Sequence, residues 1–460
     1  MKKRFNVKIY MSYFRFNRES ILLMKKILTL TALSTVLLAT SANAAGFHLR
    51  EQSTAAQGNA FAGATAGAEN NTYAYFNAAG LTRQKGTQFN IGGTYIAPKA
   101  QAGNVRYEDS EGIHRGPDIN NIVHAAVAPY MTYSNQVDDR TFVGVALNVP
   151  YGMVTKYDRD WAGSDHGITS KVTSVTVTPM AAYKATDKLS LGAGLQMQYI
   201  KAKLSNTAHP LGANAGKIYS SLEGDTFDIG YQLGALYEFN DKTRVGLGYR
   251  SQIKHKLKGE IEADTSNLDI SNLGQHGPAI LGGTTAMLNQ DISARLTTPA
   301  MASVGIFHEV NDKWAVMAEY QRVFWSSFEN LTIVGDKHNQ ATGNVSSVKE
   351  NWRDTDFYAI GANYKIDHQW TWRFGVAYDK SAVSYEDRTP RIPDSSRMWY
   401  STGLNYQYND KLSFDFAYTY ISADKADMYT GNISANDVSK TSVEYTNSVQ
   451  LFGLSLNYKF

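Results

Sequence analysis

Gln450-Leu451-Phe452-Gly453-Leu454-Ser455-Leu456-Asn457-Tyr458-Lys459-Phe460 closes the chain. Phe452, Leu454, Leu456, Tyr458 and Phe460 alternate with Gly453, Ser455, Asn457 and Lys459. Period two sends neighbouring side chains to opposite faces of a strand, so this strand has one apolar and one polar face. A last strand ending on aromatics, here Tyr458 and Phe460, is what the barrel-insertion machinery of a bacterial outer membrane receives, and that machinery is an expected partner during biogenesis. One hairpin of an ordinary secreted sandwich can carry the same pattern, so the rest of the chain has to decide.

Upstream, the alternation recurs. Phe227, Ile229, Tyr231, Leu233, Ala235, Tyr237 and Phe239 share one face, and Asp228, Gly230, Gln232 and Gly234 the other. The stretches Leu189 to Tyr199, Trp370 to Tyr378 and Leu412 to Tyr420 repeat it. Six short turns punctuate the chain: Asn135 to Asp139, Thr186-Asp187-Lys188, Asn240-Asp241-Lys242, Asn311-Asp312-Lys313, Asp367-His368-Gln369 and Asn409-Asp410-Lys411. Asn and Asp suit tight turns because their side chains bond nearby backbone. Seven long polar connections, near 97–122, 150–170, 205–225, 262–290, 326–353, 386–396 and 421–444, alternate with the short ones. This rhythm predicts an all-β membrane protein, an antiparallel transmembrane β-barrel of about 14 strands over 87–460 with both ends in the periplasm. A soluble sandwich must bury its apolar face under a second sheet and has no use for so regular an alternation.

Residues 24–44 read as an export signal. Lys25 and Lys26 precede the apolar run Ile27 to Ala39, and Ala42-Asn43-Ala44 supplies small residues before a cut at Ala45. That run is too short to span a membrane comfortably, and no stop-transfer pattern follows. Residues 1–23 add basic and aromatic residues that such a signal does not use, so Met24 is the expected start and 1–23 a mis-assigned extension. The expected address is the outer membrane of a Gram-negative bacterium.

Composition agrees. No later stretch is long and apolar enough for a membrane helix, yet the 29 Tyr and 7 Trp of the 460 residues exceed what a soluble domain needs. A barrel reconciles the two: only alternate residues meet lipid, and aromatic rings gather at both interfaces. Cysteine is absent, which removes disulfides and thiolate metal sites. A net charge of +3 without a basic run gives no reason to expect nucleic acid. No Gly-x-Ser-x-Gly, metal-spaced His pair or acidic cluster points to an enzyme, a metal or a cofactor.

Residues 45–86 do not read as wall strands. The run Gly58 to Ala68 is rich in Ala and Gly, which suits short helices packed in a confined space, such as the lumen of a barrel. A periplasmic tail is the alternative. Here the chain resembles a known family. Ala45-Gly46-Phe47, Gly58 to Ala68 and Tyr75-Phe76-Asn77-Ala78-Ala79-Gly80-Leu81 are similar to the N-terminal hatch of the FadL/TodX outer-membrane transporters of long-chain fatty acids and other hydrophobic compounds. Tyr249-Arg250-Ser251 with Lys258-Gly259, Trp325-Ser326-Ser327-Phe328, and Ile392-Pro393-Asp394 with Arg397 and Trp399 extend the resemblance to Phe460. One departure stands out: the family's Asn-Pro-Ala is Asn77-Ala78-Ala79 here, so the constraint of a proline is missing.

The resemblance implies passive transport of hydrophobic small molecules, with long-chain fatty acids leading. The ligand is captured outside, bound in the lumen, and released sideways after a hatch movement, at a bend in the third strand near Gly144 or Pro150-Tyr151-Gly152. Parity places Asp228, Arg250, Arg295, Glu319, Arg373, Arg397 and Asp415 in the lumen, because a membrane wall tolerates charge only there. Arg250 and Arg397, then Arg295 and Arg373, are candidates to hold a ligand carboxylate, since a guanidinium forms two parallel hydrogen bonds with it. Bracing ion pairs are the plainer role. Trp399 and Asp394 are candidates to line the ligand site. Apolar residues in two long loops, Leu211 in one and Ile280, Leu281, Met287 and Leu288 in the other, suit an outer capture groove, or the loops' own packing. The expected assembly is a monomer in the bilayer. A general diffusion porin and a surface-exposed adhesin-like barrel are the competing functions.

Overall fold

The structure is a computed structural model that describes residues 46–109, 112–208, 217–266, 268, 289–335, 344–432 and 440–460. The expected export signal and upstream extension lie outside these residues. Among them, 14 wall strands follow one another. The first six are Thr87–Asp109, Ala126–Gln136, Thr141–Asn148 resuming as Gly152–Lys156, Thr169–Lys184, Leu189–Ala208 and Ile218–Asn240. The seventh to tenth are each in two parts: Thr243–Arg250 with Ile253–Asp264, Gln290–Thr298 with Met301–Glu309, Trp314–Val323 with Asn330–Gly335, and Asn344–Lys349 with Thr355–Lys365. Trp370–Asp379, Arg397–Gln407, Leu412–Ala423 and Lys440–Lys459 complete the wall. Each pairs antiparallel with the next, and the last pairs with the first from Gln88↔Lys459 to Glu108↔Lys440, so the sheet closes without a free edge.

The six short turns fall where the sequence places them, for a local reason. Asn240, Asn311 and Asn409 each accept backbone N–H groups two and three residues on, at 2.9–3.0 Å, and Asp367 and Asp138 do the same at 2.8 Å. The long connections are shorter than expected, except the one placed at 386–396, which spans 380–396. The first strand runs on to Asp109, the fifth to Ala208, and the ninth and tenth continue as a hairpin. Beyond the bilayer the backbone ladder persists after the apolar alternation fades, so hydropathy stops short of the true strand ends.

The apolar faces point outward: Ile229, Tyr231, Leu233, Leu247, Ile306, Tyr358 and Phe416 are exposed. Parity does not hold along every strand. In Thr243–Arg250 the even residues face inward, whereas in Ile253–Asp264 the odd ones do. In Met301–Glu309 the odd residues face inward, whereas in Gln290–Thr298 the even ones do. The breaks, Ser251-Gln252 and Pro299-Ala300, sit side by side, since Arg250 pairs with Met301 and Ile253 with Thr298. A bulge of this kind reverses which face a strand presents.

Residues 46–86 lie within the ring of strands. They form one helical turn, Thr54–Gly58, and two 3-10 turns, Asn71–Tyr75 and Ala78–Arg83. Asn59 Nδ2 donates to the Ala362 carbonyl at 3.0 Å, Asn71 Nδ2 to Thr132 at 3.2 Å, and Asn77 Nδ2 to Ala235 at 2.9 Å, so the segment is bonded to walls on different sides. Small inner-wall residues permit this closeness. A Cβ at Gly192 would lie 2.3 Å from the Ala79 nitrogen.

Candidate functional site

Above the two paired breaks the lumen holds a small apolar pocket with a cavity volume of about 70 Å³. The fourth to sixth strands supply Val172, Ala202, Leu204 and Leu222, the seventh Leu257, the eighth Ile292, Ala294 and Leu296, and the ninth Leu331 and Ile333. The parity reversal makes this wall. Without it Lys256, Lys258 and Arg295 would face inward in place of Leu257, Ile292 and Leu296.

Three ionisable residues line the pocket: Glu223, which is paired with Lys201 and Lys203, and Arg391 and Glu350. The backbone of the 390–391 turn is fixed by Thr155 Oγ1, which donates to the Arg391 carbonyl at 2.9 Å, and by Tyr157 Oη, which donates to that of Pro390 at 2.9 Å. The Arg391 guanidinium donates to Ser170 Oγ at 3.3 Å, and among the described residues no carboxylate lies within ion-pair distance of it. Burial brings its pKa down to about 10, an effect the Glu350 carboxyl partly offsets. Glu350 is buried and accepts from Trp352 Nε1 at 3.1 Å. Burial pushes its pKa up to about 7, against the pull of Arg391. The pocket therefore presents an acid near neutrality beside a cation whose partners are neutral, and a guanidinium in that position can take a ligand carboxylate.

The N-terminal segment forms the adjoining wall. Phe47 lines the pocket and packs against Trp325 at 4.9 Å, Tyr151 at 5.7 Å, Trp352 at 5.8 Å and Phe328 at 6.0 Å between ring centroids. Its backbone joins the broken third strand: Gly152 N donates to the Phe47 carbonyl at 3.0 Å and Leu49 N to that of Pro150 at 2.7 Å. On its other side, the third strand pairs with the second only from Met131↔Leu147 to Gln136↔Phe142.

The candidates named from sequence are not gathered at this pocket. Arg250 does face inward, but its NH1 and NH2 donate to Gln232 and Gln196 at 2.6 Å, and it lies 4.2 Å over the Tyr75 ring. Arg373 binds Glu69 and Asp415, each at 2.8 Å. Arg397 is paired with Asp394 and, at 3.7 Å, with Asp379. Arg250 and Arg373 thus bond the 46–86 segment, and Arg397 the 380–396 loop. The inward expectation for Arg295 is corrected: it is exposed on the outer face, because the Pro299-Ala300 break reverses the parity used to place it. Asp394 also accepts from Ser381 Oγ at 2.8 Å, ordering the 380–396 loop, and neither it nor Trp399 lines the pocket. Trp399 is fully buried, edge-on to Phe61 of the N-terminal segment at 6.0 Å. Asn77 caps Ala78–Arg83 by accepting from Ala79 N at 3.0 Å, with Ala78 in the first turn. Leu211, Ile280, Leu281, Met287 and Leu288 lie outside the described residues. Tyr458 lies in the closing strand and Phe460 just past its end, their rings 4.9 Å apart.

Over residues 35–460 the chain matches the family described as outer membrane protein transport protein (OMPP1/FadL/TodX). It is 30% identical to the 47 kDa outer membrane protein of Pasteurella multocida, covering 94% of this chain and 98% of that one. It is 28% identical to the long-chain fatty acid transport protein of Escherichia coli K12, covering 93% and 97%. The crystal structure of a Pseudomonas aeruginosa FadL homologue superposes with a TM-score of 0.80 at 26% identity, covering 90% of this chain and all of that one.

Proposed function

The chain belongs to the OMPP1/FadL/TodX family of outer membrane transport proteins, and from that premise we propose that it moves long-chain fatty acids through the apolar pocket, holding their carboxylate at Arg391. It is an outer-membrane transporter of hydrophobic compounds, not an enzyme. The fatty-acid reading rests on one observation: an apolar slot whose sole described guanidinium has only neutral partners. An acyl chain leaves water for the slot, and its carboxylate supplies the charge Arg391 lacks. A neutral hydrocarbon would leave that cation without an anionic partner, which argues against a neutral aromatic as the principal ligand.

The route follows from what touches the pocket. Phe47 faces the ligand space and is joined by backbone to the third strand at its break, so a ligand displacing Phe47 also disturbs Pro150 and Gly152. Above Met131 the second and third strands part, and a lateral exit there delivers the molecule to the hydrocarbon core that it prefers. Hatch movement is the coupling step. Capture at the outer loops precedes it.

Labelled oleate and a neutral aromatic are bound to the parent, Arg391→Ala and Arg250→Ala. Loss of a charge-assisted pair lowers oleate affinity about tenfold or more in Arg391→Ala and leaves the aromatic unchanged. Equal oleate binding by parent and Arg391→Ala would remove the carboxylate role.

A further inference from the structure

The parity reversal that makes the pocket apolar has an outer counterpart. Lys254, Lys256 and Arg295 are turned out of the lumen and exposed. Beside them the fourth and fifth strands present Lys171, Lys201 and Lys203 on their odd, outward positions. We propose that these six cations form a docking surface for phosphorylated lipid headgroups of the outer leaflet, on the wall behind the ligand pocket.

Height is the first argument. The six lie 11 to 14 residues from the periplasmic ends of their strands, at Lys184, Leu189, Thr243 and Glu309. A strand crosses the hydrocarbon in about 9–11 residues, so this belt meets the headgroup layer. Just below it on the same walls are the lipid-facing Leu195, Ile229, Tyr231, Leu247 and Val304. Asp225 and Glu223 stand directly opposite Lys201 and Lys203 in the ladder, within the belt, while Lys258, Glu260 and Asp291 lie farther out on their strands.

Lack of neutralisation is the second argument. Lys256 stands directly opposite Arg295 in the ladder, and Lys171 opposite Lys203. Like charges so placed repel, and nothing in strand pairing requires them. Glu223 is shared between Lys201 and Lys203. Among the described residues no carboxylate lies within ion-pair distance of Lys171, Lys254, Lys256 or Arg295. For these four the charge complement has to come from outside the wall, and at this depth the anion available is a lipid phosphate. Long Lys and Arg stems lie along apolar surface while their heads reach such groups.

The test uses the full mature barrel in phosphatidylcholine nanodiscs doped with diphosphoryl lipid A, or with the same lipid A stripped of phosphate. Retained lipid A is counted by native mass spectrometry. The parent is expected to keep the phosphorylated form preferentially and to release it in high salt. Lys203→Gln/Lys256→Gln/Arg295→Gln retains about tenfold less, and the charge-preserving Lys203→Arg/Lys256→Arg/Arg295→Lys matches the parent. Equal retention by the Gln variant, or no preference for phosphate in the parent, overturns the proposal. The parent comparison decides even if the Gln variant does not fold.

Discussion

Arg391 and Glu350 face one space from two separate segments, and their chemistry is set by burial. Glu350 keeps its proton up to about pH 7 because the pocket disfavours its charged form. Below that pH a ligand carboxylate meets Arg391 without a rival anion, and above it the Glu350 carboxylate competes. Oleate affinity is therefore expected to fall about tenfold between roughly pH 6 and 8. Glu350→Gln should flatten the profile, and equal slopes in the two proteins would show that Glu350 plays no part. The same shift acts on stability. The folded pKa lies above the ordinary 4.5, so the contribution is fully present below that value and is lost as pH rises through about 7. Neither residue was singled out from sequence, because parity rules apply to strands and both lie between them. Pro390-Arg391-Ile392-Pro393, a cation in a rigid apolar context, was the available signal. At Asn77-Ala78-Ala79 the missing proline is offset by the Asn77 cap and by its bonds to the Thr65 and Ala235 carbonyls, at 2.8 and 2.9 Å.

Among the elements, the seventh and eighth strands decide the character of the lumen. Their alternation is readable on each side of the break but not across it, since a single extra residue exchanges every following side chain between faces. That is why Leu247 and Tyr249 correctly placed Arg250, and why the same counting failed for Arg295. Deleting Ser251 together with Ala300 should restore one parity along both strands. Lys256, Lys258 and Arg295 would then enter the pocket and Leu257, Ile292 and Leu296 would face outward. The expected result is loss of hydrophobic-ligand binding and less heat-resistant barrel on a semi-native gel. A variant that binds oleate like the parent would show that the pocket does not depend on the reversal.

For the molecule as a whole, closure and filling are separate facts. The strands close because the first and last are complementary along nearly their full length, while residues 46–86 occupy the ring through bonds to its inner face. A filled lumen predicts little ion conductance in a planar bilayer. Deletion of residues 46–85 should open steady porin-like channels, and a freely conducting parent would favour the diffusion-porin alternative. By itself the sequence determined the class of fold, the count of strands, the position of every short turn and the lipid-facing surface wherever parity is unbroken, because these depend on period-two alternation and on Asn and Asp bonding their own backbone. Only the tertiary structure decided which charges meet the ligand. That outcome depends on bulges that reverse strand faces and on loops folded into the lumen, and neither leaves a periodic trace in the chain.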